Sequence, residues 1–163
     1  MVTSTFVKDR DTLSWLLDQG VDLNLPLNQS LIYHLKKGEH DRTVQVLNEA
    51  ASQGDIDTFD YLVSRGADAS RSIALHRATR CLDPEKVTAL VDHLIAKYHF
   101  DPNADDDCGG IRHLVTPFPE EGPPLAYAIA NENRAAAVAL LKNGAEPQTD
   151  MAEELQRLLG SGA

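Results

Sequence analysis

The sequence predicts an all-α fold in which short antiparallel helix pairs stack side by side. Three observations carry this. Apolar residues make up 42% of the 163 residues but aromatic ones only 6%, with Leu and Ala dominant, a balance that favours helix over strand. One phrase returns four times: "WLLDQGVDLN" at 15–24, "DYLVSRGADAS" at 60–70, "HLIAKYHFDPN" at 93–103 and "ALLKNGAEPQ" at 139–148. Ahead of each of the last three copies lies a second short run with small residues on one side: Ala50 and Ala51, Ala78 and Thr79, Ala128 and Ile129. One such pair cannot bury both its faces, so the pairs must stack.

Each element follows from local chemistry. In "DTFDYLVSRGAD", residues 57–68, Phe59, Leu62 and Val63 share one helical face and Gly66 follows. A glycine just past the last turn takes the left-handed conformation that ends a helix. Asp68 then favours a turn, because its carboxylate reaches nearby amides. Gly20 and Gly144 occupy the same place. In the third copy the place is held by His99, one of the few non-glycine types enriched at positive φ, so a weaker stop is expected there.

Residues 7–19 read as an outer helix with little room for an inner partner before it. In residues 25–43, Leu31, Ile32 and Leu35 keep helical spacing up to Gly38, which predicts an inserted short helix. The inner runs begin near Val46, Ala74 and Pro124. Pro84 is placed to open the outer helix of the middle unit after a loop around Cys81. Residues 104–122 are punctuated by Gly and Pro as a long loop, with "IRHLV" as a finger strand. Residues 149–159 form a terminal amphipathic helix, with Asp150 as its expected cap.

These residues resemble the ankyrin repeat, in which an inner helix opening T-P-L-H is followed by an outer helix ending L-L-x-x-G-A-D. Gly66-Ala67-Asp68 matches outright, Leu75-His76 matches the L-H pair, and Pro124-Leu125 the P-L pair. The resemblance covers nearly the whole chain and implies an ankyrin-repeat solenoid of about three complete irregular repeats plus partial end repeats. These are a partial repeat 1–24, an insertion 25–43, repeats 44–70 and 71–103, a finger loop 104–122, a repeat 123–148 and a capping helix 149–159. The stops at 20, 66, 99 and 144 lie 46, 33 and 45 residues apart. Only the middle interval equals the ankyrin period of about 33, and the mean would suit HEAT-type repeats of about 40–47. The extra residues sit in particular connections, which argues against HEAT. A start in mid-unit is the expectation for a piece cut from a longer array.

The chain carries 15 Lys and Arg against 25 Asp and Glu, a net charge of -10. Such a surface repels nucleic acid and anionic membranes and suits a basic protein partner. No leader-like or bilayer-length apolar run is present. Cys81 and Cys108 have no metal spacing, and the expectation is an intracellular protein, in cytoplasm or nucleus, with free thiols.

No catalytic, cofactor-binding or metal site is expected. The resemblance implies that His76 is structural, bonding backbone across a turn. His93, His99 and His113 with Asp101 and residues 105–107 lack a ligand framework. Cys108 has no implied base. Function is therefore expected at the surface, in protein–protein recognition. The inner helices should line a concave groove with Glu49, Ser52, Arg77, Arg80, Tyr127 and Ala130 facing out. The loop would add Ile111, Arg112, His113 and Phe118, and apolar Leu114 and Val115 with them need cover. Two other readings stand beside this one: a thiol or hydrolase-like enzyme built on the 104–122 loop, and a spacer domain of a larger protein.

Overall fold

The computed structural model describes residues 9–24, 44–106 and 122–160. Among them every regular element is helical. The helices are α1 (Arg10–Asp18), α2 (Gln45–Ser52), α3 (Ile56–Ser64), α4 (Ala74–Ala78), α5 (Pro84–Tyr98), α6 (Pro124–Ala130), α7 (Arg134–Lys142) and α8 (Ala152–Gly160). Two 3-10 turns, Ala69–Arg71 and Thr149–Met151, lead into α4 and α8. The chain is all-α to this extent. The inserted helix expected within 25–43 and the finger strand at "IRHLV" lie outside the described residues.

The helices pair as α2 with α3, α4 with α5, and α6 with α7. An inner layer runs α2, α4, α6, α8, and in an outer layer α5 packs on α7. Leu47, Leu75 and Leu125 of the inner helices and Phe59, Leu62, Leu90, Leu94 and Leu140 of the outer ones are buried between the layers. Buried Ala50, Ala51, Ala74, Ala78 and Ala128 keep the inner row narrow, since interaxial distance follows side-chain size at the contact.

The four stops behave alike. Gly20, Gly66 and Gly144 have φ of 83°, 100° and 91°, and His99 has φ 59° and ψ 35°. The next amide turns back onto the last apolar turn each time: Val21 to Leu16 at 3.3 Å, Ala67 to Leu62 at 3.0 Å, Phe100 to Leu94 at 3.4 Å and Ala145 to Leu140 at 3.0 Å. Asp22, Asp68 and Asp101 then each accept the amide two residues on, at 2.8, 3.0 and 2.8 Å. The turn expected after Gly66 is thus a recurring device.

Outer helices open on a capping acid or amide. Asp9, Asp55 and Asn133 accept from the amides of Thr12, Thr58 and Ala136, and Asp83 caps α5 with Pro84 in its first turn, as expected. Asp150 does not cap α8. It lies inside the Thr149–Met151 turn, which repeats the 3-10 entry seen at Ala69–Arg71. Gly54, with φ +69°, closes the α2–α3 hairpin against the middle unit. A Cβ there would sit 2.7 Å from Cys81 Sγ and 2.8 Å from Lys86 Cβ.

Polar side chains set the register between pairs. Asn48 Oδ1 accepts from the Ser72 hydroxyl at 2.9 Å and the Ile73 amide at 3.0 Å. Asn133 Nδ2 donates to the carbonyls of Thr79 and Cys81 at 2.8 and 2.7 Å. The outer layer carries its own rungs. Asp18 accepts from Arg65, Asp60 from His93, Lys97 and Tyr98, and Asp92 from Lys142 and Asn143.

Replacing Asn133 by Ala removes a helix cap and leaves two buried carbonyls unpaired, so a loss of about 2–3 kcal/mol is expected. Asn103→Ala, at an exposed turn, should cost only about 1 kcal/mol. Urea unfolding of the two variants, with helical dichroism to verify the native state, measures the difference.

Candidate functional site

The inner row presents its surface at the C-terminal ends of its helices. Glu49 and Ser52 of α2 are half-buried and locally engaged. The Ser52 hydroxyl donates to the Glu49 carbonyl at 2.8 Å, and Gln53 Nε2 donates to Glu49 Oε1 at 2.7 Å. Arg80, beyond the end of α4, and Ala130, at the end of α6, are exposed.

Two expected groove residues do not face out. Arg77 is 8% exposed, because all five residues of α4 are buried: the helix is flanked by α2 and α6 and backed by α5. Tyr127 is 3% exposed. Its ring meets His76 edge-on, with centroids 5.1 Å apart, and its hydroxyl donates to Asp106 Oδ2 at 2.6 Å. Asp106 therefore closes over the position expected to be open. Ile111, Arg112, His113 and Phe118, with Cys108, lie outside the described residues.

His76 and His93 are held in place by structure. His76 Nε2 donates to the Gly122 carbonyl at 3.1 Å, joining α4 to the chain that enters α6. The resemblance implies a backbone bond across a turn; the bond found instead reaches the next unit, 46 residues on. His93 Nε2 donates to Asp60 Oδ1 at 2.8 Å. Among the described residues no group of three or more His, Cys, Asp or Glu is arranged to hold a metal ion. No helix among them is long and apolar enough to cross a membrane.

A cavity of about 320 Å³ lies between α6 and α8. Its floor includes half-buried Ile129 and Met151. Its rim carries exposed Glu132, Asp150 and Glu154 beside Arg157. An apolar floor under an acidic rim suits a basic, partly apolar protein surface. The groove pattern does not contain these residues, because the sequence marks residues 149–159 only as a terminal cap. In the structure α8 extends the inner row, packing on both α6 and α7. Its 3-10 entry after Gly144 matches the one after Gly66 that leads into α4.

Electrostatics is strongest on the outer layer. Partial burial of Asp60 works against its charge. Hydrogen bonds from Lys97, His93 and Tyr98 outweigh this and bring its pKa from 3.8 down to about 2. Asp92 is lowered too, chiefly by its bond from Asn143 against partial burial, with Lys142 adding to the effect.

A scan against protein-family models gives no match, and a search of curated proteins gives none either.

A depressed carboxylate adds stability above its unfolded pKa, and that stability is lost as the pH falls through the folded value. Asp60→Asn should thus cost about 1 kcal/mol at pH 6, the shift being discounted for solvent screening at a part-exposed site. The gap between variant and parent should close as the pH falls from 4 towards about 2, the folded pKa. Urea midpoints across that range measure it.

Proposed function

We propose that the chain is an ankyrin-like repeat module that holds another protein along its inner helix row. The observation that carries this reading is the cavity between α6 and α8, with Ile129 and Met151 beneath Glu132, Asp150 and Glu154. Exposed Ala130 lines the same cavity, at the end of α6. The side chains best suited to chemistry in the described residues serve the stack instead: His76 and His93 bridge neighbouring elements. The net charge of -10 favours a basic partner and disfavours nucleic acid. Repeat arrays present surfaces of this kind, and the partner is set by the residues on them, not by the fold.

The test is a charge swap. Glu132→Lys together with Glu154→Lys should abolish capture of the partner by the immobilised protein, while the thermal midpoint moves by no more than about 2 °C, as for exposed substitutions. Capture by the parent should fall steeply with added salt, since exposed charges are screened within about 8 Å at physiological ionic strength. Capture that survives both the swap and high salt would remove the inner row from consideration.

A further inference from the structure

Among the described residues, α1 is an outer helix with no inner helix paired to it, and α8 is an inner helix with no outer one. The start and stop of α1 put it in register with α3 and α7. Asp9, Asp55 and Asn133 cap the starts, and the carbonyls of Leu16, Leu62 and Leu140 take the returning amides. Leu62 and Leu140 are fully buried, whereas Leu16 keeps part of its surface bare. The converse holds at α8. Leu155 is buried, as Leu75 of α4 is, but Leu159 is only half-covered. With Pro147, Ala152 and Gln156 it borders an open cavity of about 580 Å³.

Position on an outer helix decides which neighbour a side chain meets. The residue two before the leucine that takes the returning amide reaches forward. Asp60 accepts from His93, Lys97 and Tyr98, and Asp92 from Lys142 and Asn143. The residue one before that leucine reaches back. The Tyr61 ring lies 4.7 Å under the Arg10 guanidinium of α1, and His93 donates to Asp60 of α3. At the two ends of the described stack these positions are apolar and uncovered. Val138, the forward position of α7, is 47% exposed, and Trp15, the backward position of α1, is 60% exposed. Large apolar residues left bare at matching places mark an interaction surface, and tryptophan is a frequent anchor.

The turns follow the same order. Asn24 and Asn103 each stand four residues past a stop and clamp the next turn. Their Nδ2 atoms donate to the Gly66 and Gly144 carbonyls at 2.8 and 3.0 Å, and their Oδ1 atoms accept the Asp68 and Glu146 amides at 2.8 and 2.7 Å. Gln148 carries an amide four residues past Gly144; it is exposed and its side chain makes no cap bond. Gly20 and Asp22 hold the places in the first turn that such a clamp uses.

We propose that copies of this chain join head to tail, α1 of one copy completing the unit that α8 of another begins. Trp15 meets Val138, Leu16 covers the cavity on α8, and Gln148 clamps the turn at Gly20. The joint continues the interface that already holds unit to unit, and this selects a second copy as the occupant. Its two surfaces differ, so the contact is heterologous and adds copies without closing on a dimer. It uses the ends of the stack and is independent of the inner-row reading.

Trp15 is the chain's single tryptophan, so its fluorescence reports the joint. As the full chain is concentrated, acrylamide quenching of Trp15 should fall and sedimentation velocity should show mass growing past the dimer. Trp15→Asp and Val138→Asp should each raise the concentration for half-assembly at least about ten-fold, the effect of a lost anchor. Helical dichroism should be unchanged; α3 and α5 already carry aspartate where α7 has Val138. Gln148→Ala should weaken assembly about three-fold, as for one exposed hydrogen bond. Mixed one to one, Trp15→Asp and Val138→Asp should form a dimer and nothing larger, since each supplies the end the other lacks. A parent that stays monomeric up to millimolar concentration, a mass that stops at the dimer, or a mixture that remains monomeric overturns the proposal. So does a Trp15 already shielded in the dilute monomer, because another segment then occupies the α1 face.

Discussion

A pair of short helices leaves apolar surface bare on both flanks, and only a neighbouring pair can cover it. Everything else in this chain is arranged around that constraint. Burial is non-directional and would tolerate several ways of sliding one pair along the next. The polar bridges remove that freedom. Asn48 and Asn133 tie the inner layer, Asp60 and Asp92 the outer one, and each has partners on a neighbouring unit. A slip by one residue would leave Asn48 and Asn133, both buried, without their partners, and an unpaired buried polar group costs more than a made one contributes. Apolar contact therefore supplies the drive to stack, and the amides and acids select the register.

The parts legible in the sequence were those set by local rules. A glycine that must adopt positive φ, an acid two residues later, a proline opening a helix: each is decided within one turn of chain, and each is found where its letters place it. More was available than was used. "DRDT" at 9–12 and "DIDT" at 55–58 are the same capping sequence, in which the acid accepts from both the amide and the hydroxyl of the threonine. They mark the starts of α1 and α3 as clearly as the glycines mark their ends. The uneven intervals also acquire a cause. The 33-residue step from Gly66 to His99 combines the short Ala69–Arg71 entry with a 15-residue outer helix, where α1, α3 and α7 have 9.

The surface was less legible, because exposure is decided by what lies across from a residue and not by its own helix. Arg77 and Arg80 are three apart in sequence and were expected to share a face. In the structure α4 ends at Ala78, so Arg77 is inside a helix enclosed by its neighbours while Arg80 belongs to the connection that follows. Tyr127 sits at a helix position that would be open in isolation, and Asp106 comes over it from the preceding connection. Helical periodicity contains no information about either event. The acidic cavity between α6 and α8 is hidden from the sequence for the same reason: its two walls belong to separate helices and meet only through stacking.

The distribution of turn clamps follows from how the chain connects one unit to the next. Residues 25–43 and 107–121 lie in the long connections after the first and third stops, and these are the junctions where Asn24 and Asn103 bridge turn to turn. A long connection does little to hold two turns together, because the effective concentration of its ends falls with its length. A side-chain clamp then has to supply the alignment. After the second stop the chain passes into α4 through the three-residue turn Ala69–Arg71, and the Arg71 carbonyl accepts the Val44 amide at 2.9 Å. Here the backbone itself positions the next unit, and the residue at the clamp position is released from that duty. Ser70 and His99 can depart from Asn and Gly at this junction because its alignment does not depend on them. A stack held by a short tether can leave its turns apart, and a cavity of about 310 Å³ lies between the second and third stops.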